Sequence, residues 1–345
     1  MSHSTRASGG VYLSVVLITV VFILLGSFAS NMIAAYEPFL VLGMMLLLGL
    51  PHGATDHGLF LALRRGKPAG KKIRFYLAYG SVIAAYGLIW YFLPLLAFAI
   101  FILLSVYHFG QSNWVNVKHK NGIFARGHYL LWGVGILLTP ILLHAEEAIA
   151  IVATMTDTVI STPQPSSVLI FIASVAALNV VVTFFLRLTG TLSTRRLIVE
   201  LLTYSVLLGM FFTNSLLLGF TVYFVFWHSL TSARDQYRFF ERRLSPELRR
   251  QLYSEIAMTV AGAFIFCLIV WFGPGPEAAL SPSIIGGVFI AISLLTMPHM
   301  LLVEQLYTSW SPEEEIIKEG SLATAVPSTH INITKPQSVS STSGW

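Results

Sequence analysis

The sequence has little charge and almost no cysteine. Only 11% of its 345 residues are charged and 55% are hydrophobic, whereas about 25% of the residues of an ordinary soluble domain are charged. The single cysteine, Cys267, lies in an apolar run. One cysteine excludes a disulfide within the chain and any metal site built from several thiolates. The low charge excludes a soluble globular protein.

The sequence is rich in long apolar runs. Stretches of roughly 20 apolar residues, each long enough to cross a hydrocarbon core of about 30 Å as a helix, recur along nearly the whole chain. We therefore predict an all-α, polytopic transmembrane bundle of about ten spans, with breaks at Glu37-Pro38, Leu93-Pro94 and Thr213-Asn214-Ser215. The predicted spans are near 11–33, 38–63, 74–93, 95–115, 127–145, 166–187, 197–213, 215–234, 254–273 and 281–307. Residues 1–310 would form this bundle, and the polar residues 311–345 a disordered cytosolic tail.

The basic residues are confined to alternate connections between the spans. If the N-terminus is inside, all 21 Lys and Arg fall on the inner side, while the outer connections carry acids such as Glu146 and Glu147. This pattern satisfies the positive-inside rule, so we predict that both termini are cytosolic. We expect a multi-pass protein of the plasma or inner cell membrane. The same pattern explains the net charge of +5 without nucleic acid, and we expect no nucleic-acid binding.

Ionisable residues within the spans are few, and four of them are histidines on spans that run in the same direction. His52, His108, His228 and His299 lie on the second, fourth, eighth and tenth predicted spans. Each is about 6–12 residues from the inner end, a depth of about 9–18 Å at about 1.5 Å per residue. Imidazole suits Fe, Zn and Cu, so we predict that these four histidines bind one metal ion. The other histidines are left out because they lie off this face, in loops, in tails or at span ends: His3, His57, His119, His128, His144 and His330.

Two acidic residues close to these histidines are candidates for orienting them. Asp56 lies four residues after His52 and could support a neighbouring histidine across a helix interface, or could make a purely structural hydrogen bond. Glu304 lies five residues after His299 and could instead reach the inner interface. Gly53 and Gly110 would allow another helix, or a substrate, to approach closely.

Four motifs carry a resemblance to a known family. GLPHGATD, YHFGQSN, FWHSLTSARD and MPHMLLVE resemble, in order and spacing, the signature blocks of the Brp/Blh family of membrane β-carotene 15,15'-dioxygenases, over about residues 38–307. The resemblance implies a non-haem Fe(II) held by histidines. It also implies cleavage of the central double bond of β-carotene, or of a related carotenoid, by O₂ to give two molecules of all-trans-retinal. His52, His108 and His228 match the family's iron ligands, and His299 matches its last Pro-His block.

The motifs depart from the family pattern at two positions. Family members commonly have a histidine at the position of Ser232 and often have an acid at the position of Asn113. Either His299 completes the ligand set or three histidines hold the iron, and Ser232 remains a candidate for supporting the site. A carotenoid would reach the site from lipid, and the retinal could pass to a rhodopsin. Aromatic residues beside the motifs could line its path or simply pack the core: Phe109, Trp114, Tyr223, Phe226 and Trp227.

Two other functions would use the same histidines. A haem-binding electron-transfer protein would need histidine pairs on facing helices, on either side of a porphyrin. A transporter of metal ions or protons would be expected to distribute its polar sites through the depth of the membrane. Both are alternatives to the oxygenase.

Overall fold

The chain forms a bundle of helices. The structure is a computed structural model that describes residues 3–49, 53–64, 71–115, 117, 122–273 and 281–309, without the side chains of residues 3–8, 71 and 72. Within these ranges there are twelve helices and no strand. They are α1 (His3–Phe28), α2 (Ser30–Gly49), α3 (Asp56–Leu63), α4 (Lys71–Phe92), α5 (Pro94–Trp114), α6 (Gly122–Leu143), α7 (Ala145–Thr156), α8 (Pro165–Leu188), α9 (Thr194–Thr213), α10 (Leu216–Arg243), α11 (Pro246–Phe272) and α12 (Pro282–Ser309).

All of these helices except the short α3 and α7 are long and apolar enough to cross a membrane. The described residues therefore confirm the predicted all-α fold and its ten spans. The predicted breaks after α4 and after α9 are also confirmed, because α5 begins at Pro94 and Asn214 separates α9 from α10. The tail at 311–345 lies outside the described residues and stays a prediction. The orientation of the chain in the membrane also stays a prediction.

The break predicted at Glu37-Pro38 is wrong. Pro38 lies inside α2, and the chain turns instead at Ala29, which has φ −136° and ψ 38°. Tertiary packing accompanies this turn, because the Asn214 side-chain amide, from the connection between α9 and α10, donates to the carbonyl of Phe22 at 3.2 Å. The predicted second span, 38–63, is also divided, because α2 ends at Gly49 and α3 begins at Asp56.

Helix α10 occupies the centre of the bundle. Just over half of its most apolar stretch, 56%, is buried, compared with 11% for each of α1 and α11. Side chains from α5, α6, α9 and α10 form one buried aromatic and aliphatic cluster, which includes Phe109, Trp132, Leu207, Phe211 and Tyr223. The most buried helices are thus the ones that surround α10, and α10 carries His228.

Two glycines set the separation of α5 and α6. A Cβ added to Gly110 would overlap the backbone carbonyl of Tyr129, and one added to Gly133 would overlap that of Val106. Small residues at such contacts let the backbones of membrane helices pack directly against each other. The close approach expected at Gly110 is therefore present, and it fixes the position of His108, two residues earlier on α5. Among the described residues, no atom lies within 4 Å of a Cβ added to Gly53.

In the part of the chain that the structure describes, three stretches have the wider π-helical form: Met45–Gly49, Val134–Leu138 and Tyr223–Ser229. Such stretches are rare and occur frequently at functional sites, because they rotate the following residues relative to an α-helix. The third stretch carries His228. It therefore determines the direction in which this histidine leaves α10.

Candidate metal centre

His108 of α5 and His228 of α10 face each other inside the bundle. Their Nε2 atoms are 3.3 Å apart, and the ring centroids are 5.0 Å apart at an interplanar angle of 69°. Both residues are buried. Two imidazoles in this arrangement can share a proton, or both can direct a lone pair toward one cation.

Ser112 lies between the backbone of α5 and the His228 ring. The Ser112 hydroxyl donates to the carbonyl of Phe109 at 3.0 Å, and its oxygen lies 3.2 Å from Nδ1 of His228. A hydroxyl has only one hydrogen to donate, so when Ser112 donates it to the Phe109 carbonyl, the hydrogen of the second contact comes from His228 Nδ1. In that arrangement neutral His228 has its lone pair on Nε2, toward His108. This is the tautomer that a metal ligand needs.

His299 of α12 is held by a carboxylate. Its Nδ1 lies 2.6 Å from Oδ1 of Asp56, the first residue of α3, and both side chains are buried. The hydroxyl of Tyr79, on α4, donates to the other carboxylate oxygen at 2.8 Å. Asp56 thus accepts from both His299 and Tyr79, which fixes the His299 ring so that Nε2 points to the side away from the carboxylate.

The three predicted ligands that the structure describes form one group. The ring of His108 lies between the other two, with its centroid 5.0 Å from that of His228 and 5.8 Å from that of His299. His52, the fourth predicted ligand, lies outside the described residues. Within the described ranges, no three His, Cys, Asp or Glu side chains are arranged so that they could together hold a metal ion. The four-histidine site therefore stays a prediction, although three of its members are neighbours.

The other two candidates for supporting the site contact groups other than the histidines. Glu304 accepts from the side-chain amide of Gln111 at 2.5 Å, which makes a polar link between α5 and α12. Ser232 is buried on α10 and is hydrogen-bonded to the side chain of Tyr307. Glu304 and Ser232 thus join the helices that carry the histidines.

Aromatic side chains cover the histidine pair on one side. The ring centroid of Phe109 lies 4.7 Å from that of His228, and Phe224 stacks on His228 at 5.7 Å. Tyr223 packs edge-on against Phe109. Of the five aromatics noted in the sequence, Phe109 and Tyr223 belong to this wall, whereas Trp114 packs in the core against α6. The wall is apolar and packs against the His228 ring.

Three histidines that the sequence analysis left out contact groups outside this cluster. His57 has Nδ1 3.6 Å from Glu255, and its ring stacks on Tyr76. The ring of His128 lies 4.2 Å from that of Trp114, between α5 and α6. His144 Nε2 lies 3.2 Å from the carbonyl of Phe211.

Asn113 connects the site to α9. Its side-chain amide donates to Glu200 at 3.1 Å, and Glu200, which is 3% exposed, also pairs with the Arg196 guanidinium at 2.5 Å. An acid at position 113 would place a second carboxylate against Glu200. Asparagine is therefore the residue that suits this interface.

Sequence reasoning missed Tyr79 and Ser112. Tyr79 lies within an otherwise ordinary span, with nothing nearby in the sequence to relate it to Asp56. Ser112 was quoted within the motif YHFGQSN without a role, although it follows His108 by one helical turn, a spacing that places both on one face. That spacing was the available signal for Ser112. No comparable signal existed for Tyr79.

The fold and this site define the chain as a multi-pass membrane protein with a buried histidine group at the junction of α3, α5, α10 and α12. Comparison with known proteins gives a more particular identity. The model of the family described as beta-carotene 15,15'-dioxygenase matches residues 43–307. The chain belongs to this family of oxidoreductases.

One curated relative agrees with this assignment. The chain is 26% identical, over 289 residues, to a protein from an uncultured marine bacterium, 66A03, named beta-carotene 15,15'-dioxygenase. The match covers 80% of this chain and 96% of the relative. No solved structure matches the chain.

Proposed function

We propose that this protein cleaves the central 15,15' double bond of β-carotene or a related carotenoid with O₂, giving retinal, at an Fe(II) held by histidines. One observation carries the proposal: the Nε2 atoms of His108 and His228 lie 3.3 Å apart, with the ring of His299 beside them. Family membership supplies the reaction class. The carotenoid substrate, the Fe(II) and the retinal product are proposed in addition to this reaction class.

The histidine pair fits a metal ion by its spacing. Imidazole nitrogens bind metals such as zinc at about 2.0–2.1 Å, so two of them on one ion at an angle of about 90–110° would lie about 2.9–3.4 Å apart. The observed 3.3 Å falls within this range. The tautomer of His228 and the hold of Asp56 on His299 both present Nε2 as the ligand atom, in the way that metal-bound histidines usually donate their other N–H.

When bound, Fe(II) would supply the one-electron chemistry that lets O₂ react with a conjugated double bond. The protein's own residues orient and shield. Ser112 and Asp56 hold two of the imidazoles by their Nδ1 atoms. Phe109 and Phe224 exclude water and offer an apolar face to a polyene. A substrate that dissolves only in lipid reaches such a site from between the helices.

The haem alternative is disfavoured by the same spacing. Two axial nitrogens on opposite sides of one iron would be about 4 Å apart, twice a metal–nitrogen distance of about 2.0–2.1 Å. The 3.3 Å between His108 and His228 leaves no room for a porphyrin between them. We further propose that the protein resides in the cell's inner or plasma membrane and that its retinal is passed to a rhodopsin.

Expression in bacteria engineered to accumulate β-carotene tests the proposal. Cells with the wild-type chain should lose their orange colour and gain retinal, as measured by chromatography. His108→Ala and His228→Ala should each abolish bleaching and reduce the iron content of the purified protein. His144→Ala, which removes a histidine outside the group, should bleach normally.

Two results would count against this function. If well-folded wild-type protein, supplied with iron, leaves the carotene unchanged, the cleavage reaction is wrong, and transport of metal ions or protons becomes the better reading. If His108→Ala bleaches at the wild-type rate and retains iron, the histidine pair is not the metal centre.

A further inference from the structure

Thr55 stands at the N-cap position of α3, but its side chain does not cap that helix. A threonine at this position usually accepts a hydrogen bond from a backbone N–H of the first turn. Here the hydroxyl donates instead to Oε1 of Gln236, on α10, at 2.5 Å. The backbone of Thr55 has helical angles, φ −85° and ψ −5°, whereas a capping residue is normally extended. The hydroxyl therefore joins α3 to a residue 181 positions away in the sequence.

Helix α3 depends on such contacts for its position. It has only eight residues, and an isolated helix shorter than about 12–15 residues is marginal in water. Its first residue is Asp56, whose carboxylate lies 2.6 Å from Nδ1 of His299. Thr55 and Gln236 are 6% and 2% exposed, so their hydrogen bond forms in the low dielectric of the interior, where it is stronger than in water. This bond fixes the start of the helix that holds His299.

The partner of Thr55 lies on the face of α10 that carries His228. Gln236 follows His228 by eight residues, and the buried Ser232 stands midway between them. A spacing of four residues places side chains on one face of a helix. Because α10 runs unbroken from His228 to Gln236, the place of Gln236 relative to His228 is fixed. Thr55, and with it Asp56, is therefore anchored to the helix that carries one of the histidine pair.

We propose that the hydrogen bond between Thr55 and Gln236 positions His299 relative to the other histidines of the metal centre. It acts through Asp56, which follows Thr55 directly and orients the His299 ring. His299 is carried by α12 and His228 by α10, so a link between the two helices is needed to bring both rings to one ion. Without the bond, α3 could shift along α10, and His299 would lose its alignment. The inference rests on the proposed function, because the metal centre is part of that proposal.

Removal of the Thr55 hydroxyl tests the proposal, and Thr55→Val does this while keeping the shape of the side chain. In an Fe(II) titration of metal-depleted protein, Thr55→Val should weaken iron binding roughly 2- to 12-fold, the range for one neutral hydrogen bond. Thr55→Ser, which keeps a hydroxyl, should bind iron like the wild type. Thr183→Val is the matched control, because it removes a buried threonine hydroxyl that bonds within α8. It should leave the iron affinity unchanged.

A double-mutant cycle separates positioning from a general loss of stability. If Thr55 acts through Asp56, Thr55→Val should have no further effect on iron affinity in the Asp56→Asn variant, whose hold on His299 is already impaired. A loss of stability alone would weaken iron binding by the same factor in both backgrounds.

A measurement on metal-free protein completes the test. The Nδ1–H proton of His299, which is hydrogen-bonded to Asp56, gives an NMR resonance that is identified by its loss in His299→Ala. In Thr55→Val this resonance should shift or broaden, because Asp56 is no longer held in place. In Thr55→Ser and in Thr183→Val it should keep its wild-type position.

Three results would overturn the proposal: wild-type iron affinity in Thr55→Val, an undiminished effect of Thr55→Val in the Asp56→Asn background, or an unchanged His299 resonance. Its failure is distinguishable from that of the proposed function. If the wild type binds iron and bleaches carotene but Thr55→Val has no effect, only the positioning role is wrong. If the wild type does neither, the cleavage function is wrong, and the His299 resonance alone decides whether the hydrogen bond positions that ring.

Discussion

Replacing Asp56 by asparagine should weaken metal binding by about 10- to 100-fold, the usual effect of losing a partner that orients a metal-binding histidine. Asp56 presents two acceptor oxygens to two donors, His299 Nδ1 at 2.6 Å and the Tyr79 hydroxyl at 2.8 Å. Asparagine keeps one acceptor and replaces the other with an NH₂ group, so one of the two donors would meet another donor. The side chain remains similar in size, and the helices need not repack.

The expected magnitude follows from the number of hydrogen bonds lost. A hydrogen bond to a charged group contributes about 1.5–3 kcal/mol, and a tenfold change in affinity corresponds to about 1.4 kcal/mol. Asp56→Asn removes the charge from both bonds and turns one of them into a clash. Tyr79→Phe removes one donor and leaves His299 in contact with the carboxylate. We therefore expect Tyr79→Phe to weaken metal binding less, by roughly 3- to 10-fold. The hydrogen bond from Tyr79 to Asp56 acts on the metal only indirectly, because Asp56 in turn orients His299.

The measurement is an Fe(II) titration of purified, metal-depleted protein against a competing chromogenic chelator, under anaerobic conditions. Carotene bleaching is followed in parallel. Tyr76→Phe is the matched control, because it removes a hydroxyl from the same helix at a position whose ring contacts His57 instead of Asp56. If Asp56→Asn bound iron as tightly as the wild type, the contact between Asp56 and His299 would be structural only, and the role given to His299 would have to be withdrawn.

Three further outcomes are expected. Asn113→Asp should lower the free energy of unfolding by roughly 1.5–3 kcal/mol, because it replaces a donor to the buried Glu200 with a second carboxylate. Thermal unfolding in detergent measures this effect, and an unchanged unfolding midpoint would contradict it. Gly110→Ala should destabilise the bundle by about 1–3 kcal/mol, because the added Cβ overlaps the Tyr129 carbonyl. Gly127→Ala, with open space around its Cβ, should not destabilise it. Equal stability of the two variants would show that α5 and α6 can separate. Removal of metal by a chelator should abolish bleaching and leave the helical circular dichroism unchanged, and Fe(II) should restore bleaching whereas redox-inactive Zn(II) should not; recovery with zinc would argue against a redox role for the metal.

The sequence by itself determined the helices, because hydropathy and helix-breaking residues act locally. Each apolar run is long enough to cross a bilayer, and the breaks before Pro94 and at Asn214 follow from residues at those positions. The misplaced break at Glu37-Pro38 and the missed break between Gly49 and Asp56 show the limit of this reasoning. Pro38 is accommodated inside α2, and the turn at Ala29 lies beside a contact from Asn214, which is distant in the sequence.

The sequence also singled out the histidines, because ionisable groups are rare inside spans and stand out there. Only the tertiary structure decided how they are used. The bond of Asp56 to His299 joins residues 243 positions apart, and the facing Nε2 atoms of His108 and His228 join residues 120 positions apart. Such contacts depend on which helices pack together and on how far each is rotated about its axis. Hydropathy specifies neither the packing partners nor the rotation. In this protein the glycine contacts set the packing of α5 against α6, and the π-helical stretch of α10 sets the direction of His228.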